Sequence, residues 1–492
     1  MKTAEDSQKQ FKARYEAFKA KDSRFDGNFF VGVSSTGIYC RPVCRAKLPK
    51  EENCTFFTTA AAAEHAGYRP CLLCRPEIAP GLAVVDAKAS LAERAARLME
   101  GECDSGQGID GFAKRLNCTG RHLRRAFTAE YSVSPIQYLQ TCRLLLAKNL
   151  LTDTDLSVID VAMTAGFGSL RRFNALFKSQ YRLAPTALRK GLSKERTGGT
   201  DITLALGYRP PYDWQKILDF LALRAIPGVE TIIGNEYLRT VRLSAGGDKS
   251  TGGFIKVGNR AEENALSVTV SAPLLPVLSK VLSRVRNLFD LYAQPDVIFK
   301  TLSSMNDIRA GLCVLGTRLP GCFDPFEMSV RAVLGQQITV KAASTLAGRL
   351  VEKFGIPIST GIDGLTHVFP TAESVAGLGA DIEKRFGEIG IIKTRANTVL
   401  RLAEVVADGG IDFSPYGNVE SETEKLMSIP GIGQWTAQYI AMRAMGHTDA
   451  FPHTDYGIKK ALEPMTADEI LRLSARWRPW RSYAAINLWN SL

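Results

Sequence analysis

Four cysteines are the first residues in this chain whose types and spacing could do chemistry. Cys40 and Cys44 form a CxxxC pair, and after 26 further residues Cys71 and Cys74 form a CxxC pair. Thiolates are favoured ligands of Zn²⁺, and two such pairs supply the four ligands of a tetrahedral site. The spacing therefore predicts one bound zinc ion. A purely structural zinc knuckle is the alternative to a reactive zinc site.

The second candidate centre is the stretch IPGIGQWTAQYIAMRAMGHTDAFPHTDYGIKK, from Ile429 to Lys460. Gly431 and Gly433 lie in a tight turn between two helical patterns. Glycines let backbone N–H groups approach a phosphate, and the positive end of the following helix faces the same anion. Asp455 follows about five helical turns later. The stretch therefore predicts a DNA-backbone clamp close to one carboxylate.

The basic residues are concentrated at one end of the chain. Residues 1 to 200 hold 31 of the 62 Lys and Arg but 20 of the 50 Asp and Glu, so they carry +11 of the net +12. This imbalance predicts long-range attraction to nucleic acid in the N-terminal part and local backbone contacts in the C-terminal part. The alternative is that the basic residues only keep the chain soluble.

Composition excludes two classes of protein. No run of about 18 apolar residues occurs, which excludes a membrane-spanning helix, and the start MKTAEDSQKQ is too charged for a secretory signal. We therefore expect a cytoplasmic protein that joins the nucleoid when bound to DNA. In that reducing compartment ten cysteines do not predict a disulfide framework. The six cysteines outside the cluster are expected to be small buried residues.

The elements that must position these residues change in type along the chain. Short β-like runs surround the cysteines, an amphipathic helix is predicted over 86–99, and helical patterns continue to about Lys190. A polar, Gly-containing linker leads to alternating β segments, and helical periodicity dominates beyond Asp290. The expected order is a small α/β zinc domain over 1–82, an all-α DNA-binding domain over 83–190 and a linker over 191–201. An α+β subdomain over 202–290 and an α bundle over 291–492 are expected to follow. At this length each domain is expected to bury its own core.

The helical module repeats at an offset of 50 residues. GRHLRRAFTAEY and GSLRRFNALFKSQY each place an arginine-rich helix before a proline. Two such helices at a fixed offset could read successive major grooves, with Arg121, Arg124, Arg171 and Arg172 toward DNA. A solvated basic face is the alternative. The second copy resembles the AraC-type paired helix-turn-helix domain, which implies an all-α double helix-turn-helix fold.

The sequence around the cysteines, TGIYCRPVCRAK and GYRPCLLCRPE, resembles the N-terminal domain of the Ada methylation-response proteins. The resemblance implies that Cys40 is also a nucleophile, which accepts a methyl group from a DNA methylphosphotriester. Four thiolates around Zn²⁺ carry a net charge of about −2, and methylation of one would reduce the repulsion of DNA. Arg45, Lys47 and Arg69 are the expected phosphate contacts. Many Ada proteins continue into a methyltransferase with a Pro-Cys-His-Arg motif, which this chain lacks.

From about Thr203 to its end the chain resembles 3-methyladenine DNA glycosylase II (AlkA) of the helix-hairpin-helix superfamily, notably in PPYDWQKILDFLALRAIPGVE and FPHTDYGIKK. The resemblance implies that Asp455 stabilises the oxocarbenium-like sugar and helps a water to attack. A cap or surface charge is the alternative role for this Asp. An aromatic pocket for the flipped, cationic base is expected from Trp435, Tyr439, Trp489 and Trp214.

Further positions of the hairpin region refine this expectation. Related lyases hold a Schiff-base lysine where this chain has Trp435, so a monofunctional glycosylase is expected. Gln337, in GQQIT, takes the position where the family commonly places a leucine wedge that fills the gap left by the flipped base. Backbone carbonyls near Ser428 and Ile432 are a candidate site for a monovalent cation.

Together these patterns predict a fusion that both senses methylation damage in DNA and excises alkylated bases. Its expected activities are those of a DNA-3-methyladenine glycosylase II and of a suicidal methylphosphotriester-DNA:cysteine methyltransferase. Alkylated double-stranded DNA and promoter DNA are the expected partners, and RNA polymerase is a candidate partner. One alternative is a transcription regulator with an inactive glycosylase-like clamp. Another is a glycosylase whose N-terminal half only recruits it to DNA.

Overall fold

The structure is a computed structural model that describes residues 4–80, 90–190, 201–246, 249–414 and 418–492. These residues form a small zinc-domain sheet, a helical module, a five-stranded sheet and a C-terminal helical bundle. This order confirms the predicted fold class.

The N-terminal region is a four-stranded sheet with two helices. Its strand order is β3-β1-β2-β4, in which β2 and β4 are parallel and the other pairs are antiparallel. The elements are α1 (Ala4–Lys19), β1 (Phe30–Val33), β2 (Ile38–Cys40), β3 (Cys54–Phe57), α2 (Ala60–His65) and β4 (Arg69–Pro70).

The helical module follows with seven helices among the described residues. They are α3 (Leu91–Gly101), α4 (Ile109–Arg115), α5 (Gly120–Tyr131), α6 (Pro135–Asp153), α7 (Val158–Thr164), α8 (Leu170–Tyr181) and α9 (Pro185–Lys190). Helix α3 begins after Ser90, which forms a capping box with Glu93. The predicted helix over 86–99 is thus confirmed from Leu91 onward, and its first residues lie outside the described ranges, as does most of the predicted linker.

The 50-residue repeat is confirmed in three dimensions. Helices α5 and α8 both have 12 residues. Each is followed by a residue with positive φ, 58° at Ser132 and 54° at Arg182. The next helix in each copy begins at a proline, whose fixed φ and missing N–H suit the first helical position.

The third region is a five-stranded antiparallel sheet of order β5-β9-β8-β7-β6. It contains β5 (Ile202–Gly207), α10 (Trp214–Ala222), β6 (Glu230–Ile233), β7 (Glu236–Gly246), β8 (Lys249–Arg260), β9 (Ala265–Val270) and α11 (Leu278–Leu288).

The C-terminal bundle holds the hairpin. Its elements are α12 (Pro295–Leu302), α13 (Pro325–Leu334), α14 (Val340–Phe354), β10 (Ile356–Pro357), β11 (His367–Val368), α15 (Ala372–Ala376), α16 (Ile382–Gly387), α17 (Lys393–Ala407), α18 (Val419–Met427), α19 (Gln434–Arg443), α20 (Tyr456–Ala461), α21 (Ala467–Ser474) and α22 (Arg481–Asn490).

The cores of these regions are not all separate. Apolar residues of α6 to α9, such as Leu150 and Phe177, belong to the same buried cluster as Leu204 and Val268 of the five-stranded sheet. A Cβ added at Gly207 would meet the Ile78 carbonyl oxygen at 2.3 Å, so the zinc region also approaches this sheet closely. The expectation of one independent core per domain is therefore wrong for the second half of the helical module.

No helix in the described part of the chain is both long enough and apolar enough to span a membrane.

Candidate functional site

The four predicted cysteine ligands lie together in one buried cluster. The sulfur atoms of Cys40, Cys44, Cys71 and Cys74 are all within 4.8 Å of one another, and the residues are between 2% and 9% exposed. Four sulfurs about 2.3 Å from a tetrahedral Zn²⁺ would lie about 3.8 Å apart, so this spacing fits the ion. An all-sulfur tetrahedral set favours zinc over hard cations. The predicted zinc site with four cysteine ligands is therefore confirmed.

The sheet explains why two distant cysteines meet. Strand β2 ends at Cys40 and β4 ends one residue before Cys71, and the two parallel strands pair Tyr39 with Pro70. The Cys71 backbone N–H donates to the Tyr39 carbonyl at 3.0 Å. Parallel strands bring their carboxyl ends to one edge, so both ligand pairs begin at the same edge of the sheet.

A buried ion pair that no sequence motif indicated supports the cluster. The Arg41 guanidinium pairs with the Asp26 carboxylate, both side chains being no more than 6% exposed. Arg41 also donates its backbone N–H to the Cys74 sulfur at 3.3 Å and its Nη1 to the Cys74 carbonyl at 3.0 Å. This arginine therefore orients one ligand loop, and its charge partly offsets that of the thiolates. In the sequence, only the position of Arg41 between two cysteines could have indicated this role.

The predicted phosphate contacts near the cluster differ in exposure. Arg45 and Lys47 are exposed, whereas Arg69 is half-buried on β4. Their roles on DNA stay predictions.

The two arginine-rich helices present matching surfaces. Arg121 and Arg124 are exposed on α5, and Arg171 and Arg172 are exposed on α8. On the opposite faces, the apolar residues Leu123, Phe127, Phe173 and Phe177 are fully buried. Arg124 forms an exposed pair with Asp110 at 3.3 Å. Such a pair contributes little to stability, so this guanidinium remains accessible to phosphate.

The hairpin turn is built on Gly431, whose φ of +92° favours glycine. A Cβ at this position would meet Thr398 Oγ1 at 2.0 Å. Thr398 donates its hydroxyl to the Pro430 carbonyl at 3.0 Å, which fixes the turn against α17. Gly433 is exposed, has open space around it and caps the start of α19. The turn thus presents accessible backbone N–H groups at a helix N-terminus, as an anion site requires.

Asp455 is held by four hydrogen-bond donors. Its Oδ1 accepts from Trp489 Nε1 at 2.9 Å and from the backbone N–H groups of Gly457 and Ile458 at 2.8 and 3.2 Å. Its Oδ2 accepts from Trp435 Nε1 at 2.9 Å. The side chain therefore caps α20, as the alternative role proposed, and also connects two tryptophans. Because Oδ1 has three donors and Oδ2 has one, Oδ2 keeps the capacity to face a developing cation.

These residues border a cavity of about 410 Å³, within the usual size range of small-molecule pockets. Trp435, Tyr439, Asp455 and Trp489 all line it. The rings of Trp435 and Tyr439 are stacked, with centroids 5.3 Å apart and planes 11° apart. Trp489 approaches closely because Gly457 has no Cβ, which would meet the indole at 2.9 Å. The structure thus brings together three of the four aromatic residues predicted for the base pocket.

The fourth, Trp214, lies elsewhere. It is 5% exposed, packs against Phe289 at a centroid distance of 5.4 Å, and donates Nε1 to the Asn235 carbonyl. It does not line the cavity described above. The expected pocket role for Trp214 is corrected to a packing role, because its apolar surface and its single donor are both satisfied in the core of the sheet region.

Three arginines that were not predicted from the sequence also line the cavity: Arg224, Arg331 and Arg443. Arg443 donates to the Tyr439 hydroxyl at 2.9 Å. Burial raises the pKa of the Tyr439 phenol, but Arg443, Arg224 and Arg331 outweigh it and the net effect is a lowered pKa. Arg331 is paired with Glu230 and Glu327 at 3.0 and 3.2 Å, so its charge is compensated. The cavity wall is therefore aromatic and cationic, not only aromatic.

The predicted wedge residue, Gln337, is exposed at a loop tip with a φ of +56°. Its neighbour Gln336, which was not predicted from the sequence, joins this loop to the hairpin. Gln336 Nε2 donates to the Gly431 carbonyl and to Thr436 Oγ1, both at 2.9 Å. The carbonyl of Gln336 accepts from Arg395. The loop that carries the predicted wedge is thus fixed to the predicted backbone clamp.

Comparison with known domain families agrees with this geometry. The chain matches the metal binding domain of Ada over residues 13–77, a helix-turn-helix domain over 112–191, the AlkA N-terminal domain over 203–324, and the HhH-GPD superfamily of base excision DNA repair proteins over 330–468.

Three relatives cover different parts of the chain. A "Probable bifunctional transcriptional activator/DNA repair enzyme AlkA" of Mycobacterium tuberculosis is 36% identical over 98% of this chain and 96% of its own length. DNA-3-methyladenine glycosylase 2 of Escherichia coli is 35% identical over 58% of this chain and 95% of its own length. The bifunctional transcriptional activator/DNA repair enzyme Ada of Escherichia coli is 30% identical over 39% of this chain and 50% of its own length.

The match to the mycobacterial protein spans nearly all of both chains, and it includes the cysteine cluster and the hairpin. The Ada-type and AlkA-type resemblances therefore belong to one protein architecture and not to two unrelated likenesses. This chain belongs to the family of bifunctional AlkA proteins, in which an Ada-type zinc domain and a helix-turn-helix domain precede a helix-hairpin-helix DNA glycosylase.

Proposed function

We propose that this chain hydrolyses the N-glycosidic bond of alkylated bases of the 3-methyladenine type in DNA, and that its N-terminal half senses methylphosphotriesters and regulates transcription. The observation that carries the proposal is the pairing of two centres in one chain. One is a buried four-sulfur cluster, and the other is a carboxylate set between two tryptophans in an aromatic cavity. Membership of the bifunctional AlkA family supports both parts.

In the glycosylase reaction, Asp455 stabilises the positive charge that develops on the sugar as the bond to the base breaks. The donors on Oδ1 hold the carboxylate still, and Oδ2 faces the developing oxocarbenium ion and orients the attacking water. An alkylated purine leaves readily because it is already cationic, so little acid catalysis is needed. The rings of Trp435 and Tyr439 stack on the flipped base.

The enzyme releases the base without cutting the DNA strand. Trp435 occupies the position at which related lyases hold a lysine, and none of the described residues that line the cavity is a lysine. Without an amine no Schiff base with the sugar forms there. Reduction with borohydride during turnover should therefore trap no protein–DNA adduct, and a trapped adduct would show that another amine reaches the sugar.

In the sensing reaction, the Cys40 sulfur attacks the methyl carbon of a phosphotriester. The new S–C bond forms as the C–O bond breaks, and its electron pair leaves on the phosphate oxygen. Bound Zn²⁺ would keep the four sulfurs in their thiolate form. Converting one thiolate to a thioether removes a negative charge near DNA and strengthens binding, with Arg45, Lys47 and Arg69 as phosphate contacts.

The remaining proposed DNA contacts divide between the arginine-rich helices and the hairpin region. Arg121, Arg124, Arg171 and Arg172 bind promoter DNA, whereas Gly431, Gly433 and Gln337 bind the damaged duplex. RNA polymerase is the proposed partner for activation. The cation site near Ser428 and Ile432 stays a prediction.

A paired assay tests this proposal. Zinc-loaded protein is incubated with DNA that carries methylphosphotriesters, and its affinity for promoter DNA is measured before and after. Base release from methylated duplex DNA is measured in the same samples. We expect saturable promoter binding that tightens after exposure, together with release of 3-methyladenine. Absence of base release would support the alternative of an inactive clamp, and unchanged promoter affinity would support simple recruitment to DNA.

A further inference from the structure

A second cavity, of about 160 Å³, lies in the glycosylase half, and one residue of the N-terminal half reaches its wall. Arg97 of α3 lines it from the sensor side, and Arg284, Arg286 and Arg443 line it from the glycosylase side. The contact between α3 and the glycosylase half includes Ser279 of α11, which hydrogen-bonds to Asp104 and to the Gly101 carbonyl. A single water needs roughly 10–15 Å³, so the space exceeds that of one water and suits a small polyatomic anion.

Several donors that face this cavity have no partner among the described residues. Arg97 Nε is buried without a hydrogen bond, and its guanidinium lies 5.1 Å from the Tyr292 ring centroid. The Arg286 guanidinium, on a half-buried side chain, makes no hydrogen bond or ion pair in the described part of the chain. The Thr448 hydroxyl is also buried without a partner, in a residue only 6% exposed. Buried donors are nearly always satisfied, so the two buried ones, beside a half-buried guanidinium, indicate a missing acceptor.

The charge of the lining favours an anion. Among the described residues that line it, Asp290 is the single carboxylate, and this group already accepts from the Tyr483 hydroxyl and the Leu319 N–H. Arg284 reaches Asp324 at 3.4 Å. Arg443 donates to Tyr439 and to the Pro320 and Gly321 carbonyls but forms no ion pair with a described residue. The C-terminus of α19 adds roughly half a negative charge, which is less than the excess of guanidinium charge.

We propose that this cavity binds a small phosphate-class anion, and that Arg97, Arg286 and Thr448 are its main donors. The predicted DNA clamp lies just before the first residue of α19. Met442 and Arg443 line the cavity from the last turn of that helix, and Thr448 lines it from beyond that turn. Ten helical residues span about 15 Å, so the occupant is a free anion and not the backbone held by the hairpin. A bound anion joins the sensor helix α3 to the glycosylase half and offsets the charge of Arg443.

Titration of the zinc-loaded full chain with inorganic phosphate tests the site, with chloride at equal ionic strength as the reference. Calorimetry should show saturable binding of one phosphate, and the midpoint of thermal unfolding should rise with phosphate. Arg97→Gln and Arg286→Gln should each weaken binding about tenfold, as expected for loss of a charge-assisted hydrogen bond. Arg97→Lys should restore part of the affinity.

Matched variants separate this site from the DNA-binding surfaces. Arg121→Gln and Arg171→Gln, on the exposed arginine-rich helices, should leave phosphate affinity within about twofold. Thr448→Val provides a variant without a charge change, and it should also weaken binding. Phosphate binding that does not saturate, or that survives Arg97→Gln and Thr448→Val in folded protein, would overturn the proposal. So would an equal loss of duplex affinity in Arg97→Gln, because it would assign the arginine to the DNA backbone.

Discussion

The cysteine cluster and the aromatic cavity are assembled in different ways. All four sulfurs come from two loops at one edge of a small sheet, and they are almost completely buried. The cavity takes residues from α13, α14, α19 and α22 and from the loop before α20, and it leaves room for a base. A metal site is fixed by its few ligands, whereas a substrate site depends on spacing that many elements maintain. The two sites should therefore respond differently to single substitutions.

Substitution of the cavity carboxylate should give the largest effect. Asp455→Asn should lower release of 3-methyladenine by a factor of hundreds or more, because it removes the charge that stabilises the sugar cation. Duplex affinity should stay within a few fold, because the clamp is formed by the hairpin. Single-turnover release and DNA titration measure the two quantities. Release at the wild-type rate would contradict the role of Asp455.

Two tryptophans separate packing from substrate contact. Trp214→Ala should reduce the free energy of unfolding by about 3–5 kcal/mol, because it leaves a cavity in a buried core. Trp435→Ala should cost less stability, since this residue is only half-buried, but it should lower base release more than tenfold. Denaturant unfolding and release assays on both variants provide the comparison. If both variants lost stability and base release in the same proportion, Trp214 and Trp435 would not differ in role as proposed.

The two hairpin glycines form another matched pair. Gly431→Ala places a Cβ 2.0 Å from Thr398 Oγ1 at a φ of +92°, so the turn must shift. We expect at least a tenfold loss of duplex affinity. Gly433→Ala has open space and an ordinary φ of −90°, so its backbone can stay in place. Its affinity should change only a few fold, as measured by fluorescence anisotropy, and equal losses would contradict the proposed difference.

The N-terminal half should show its effect as a dependence of stability on pH. Burial raises the pKa of Glu64 to about 8, although hydrogen bonds from Thr141 and Tyr39 and the charge of Lys148 lower it. The folded state therefore holds a proton that the unfolded state loses at about pH 4.3. Stability should fall as pH rises toward 8, by at most about 1.4 kcal/mol per pH unit. Glu64→Gln should flatten the dependence of unfolding free energy on pH between about pH 6 and 8. An unchanged slope would show that another group causes the dependence.

The sequence predicted the cysteine cluster well because ligand type and short spacing determine a zinc site. It also predicted Asp455 beside Trp435, because both belong to one motif near the hairpin. It failed for Trp214, since a motif tryptophan in a core and one in a pocket look alike in sequence. Arg224, Arg331 and Gln336 were missed because they reach the site from positions about 100 residues or more before the hairpin. The shared core between α6 to α9 and the sheet depends on packing that no local pattern shows.

The central claim is that one chain carries two separate reactions, and a crossed measurement tests it most directly. Wild-type protein, Cys40→Ala and Asp455→Asn are each given DNA that contains both methylphosphotriesters and 3-methyladenine. Peptide mass spectrometry locates the transferred methyl group, and released base is quantified in the same samples. We predict one methyl group on Cys40 in the wild-type protein and in Asp455→Asn, and none in Cys40→Ala. Base release should be nearly normal in Cys40→Ala and strongly reduced in Asp455→Asn. A methyl group on another ligand, or loss of both activities in either folded variant, would contradict the account.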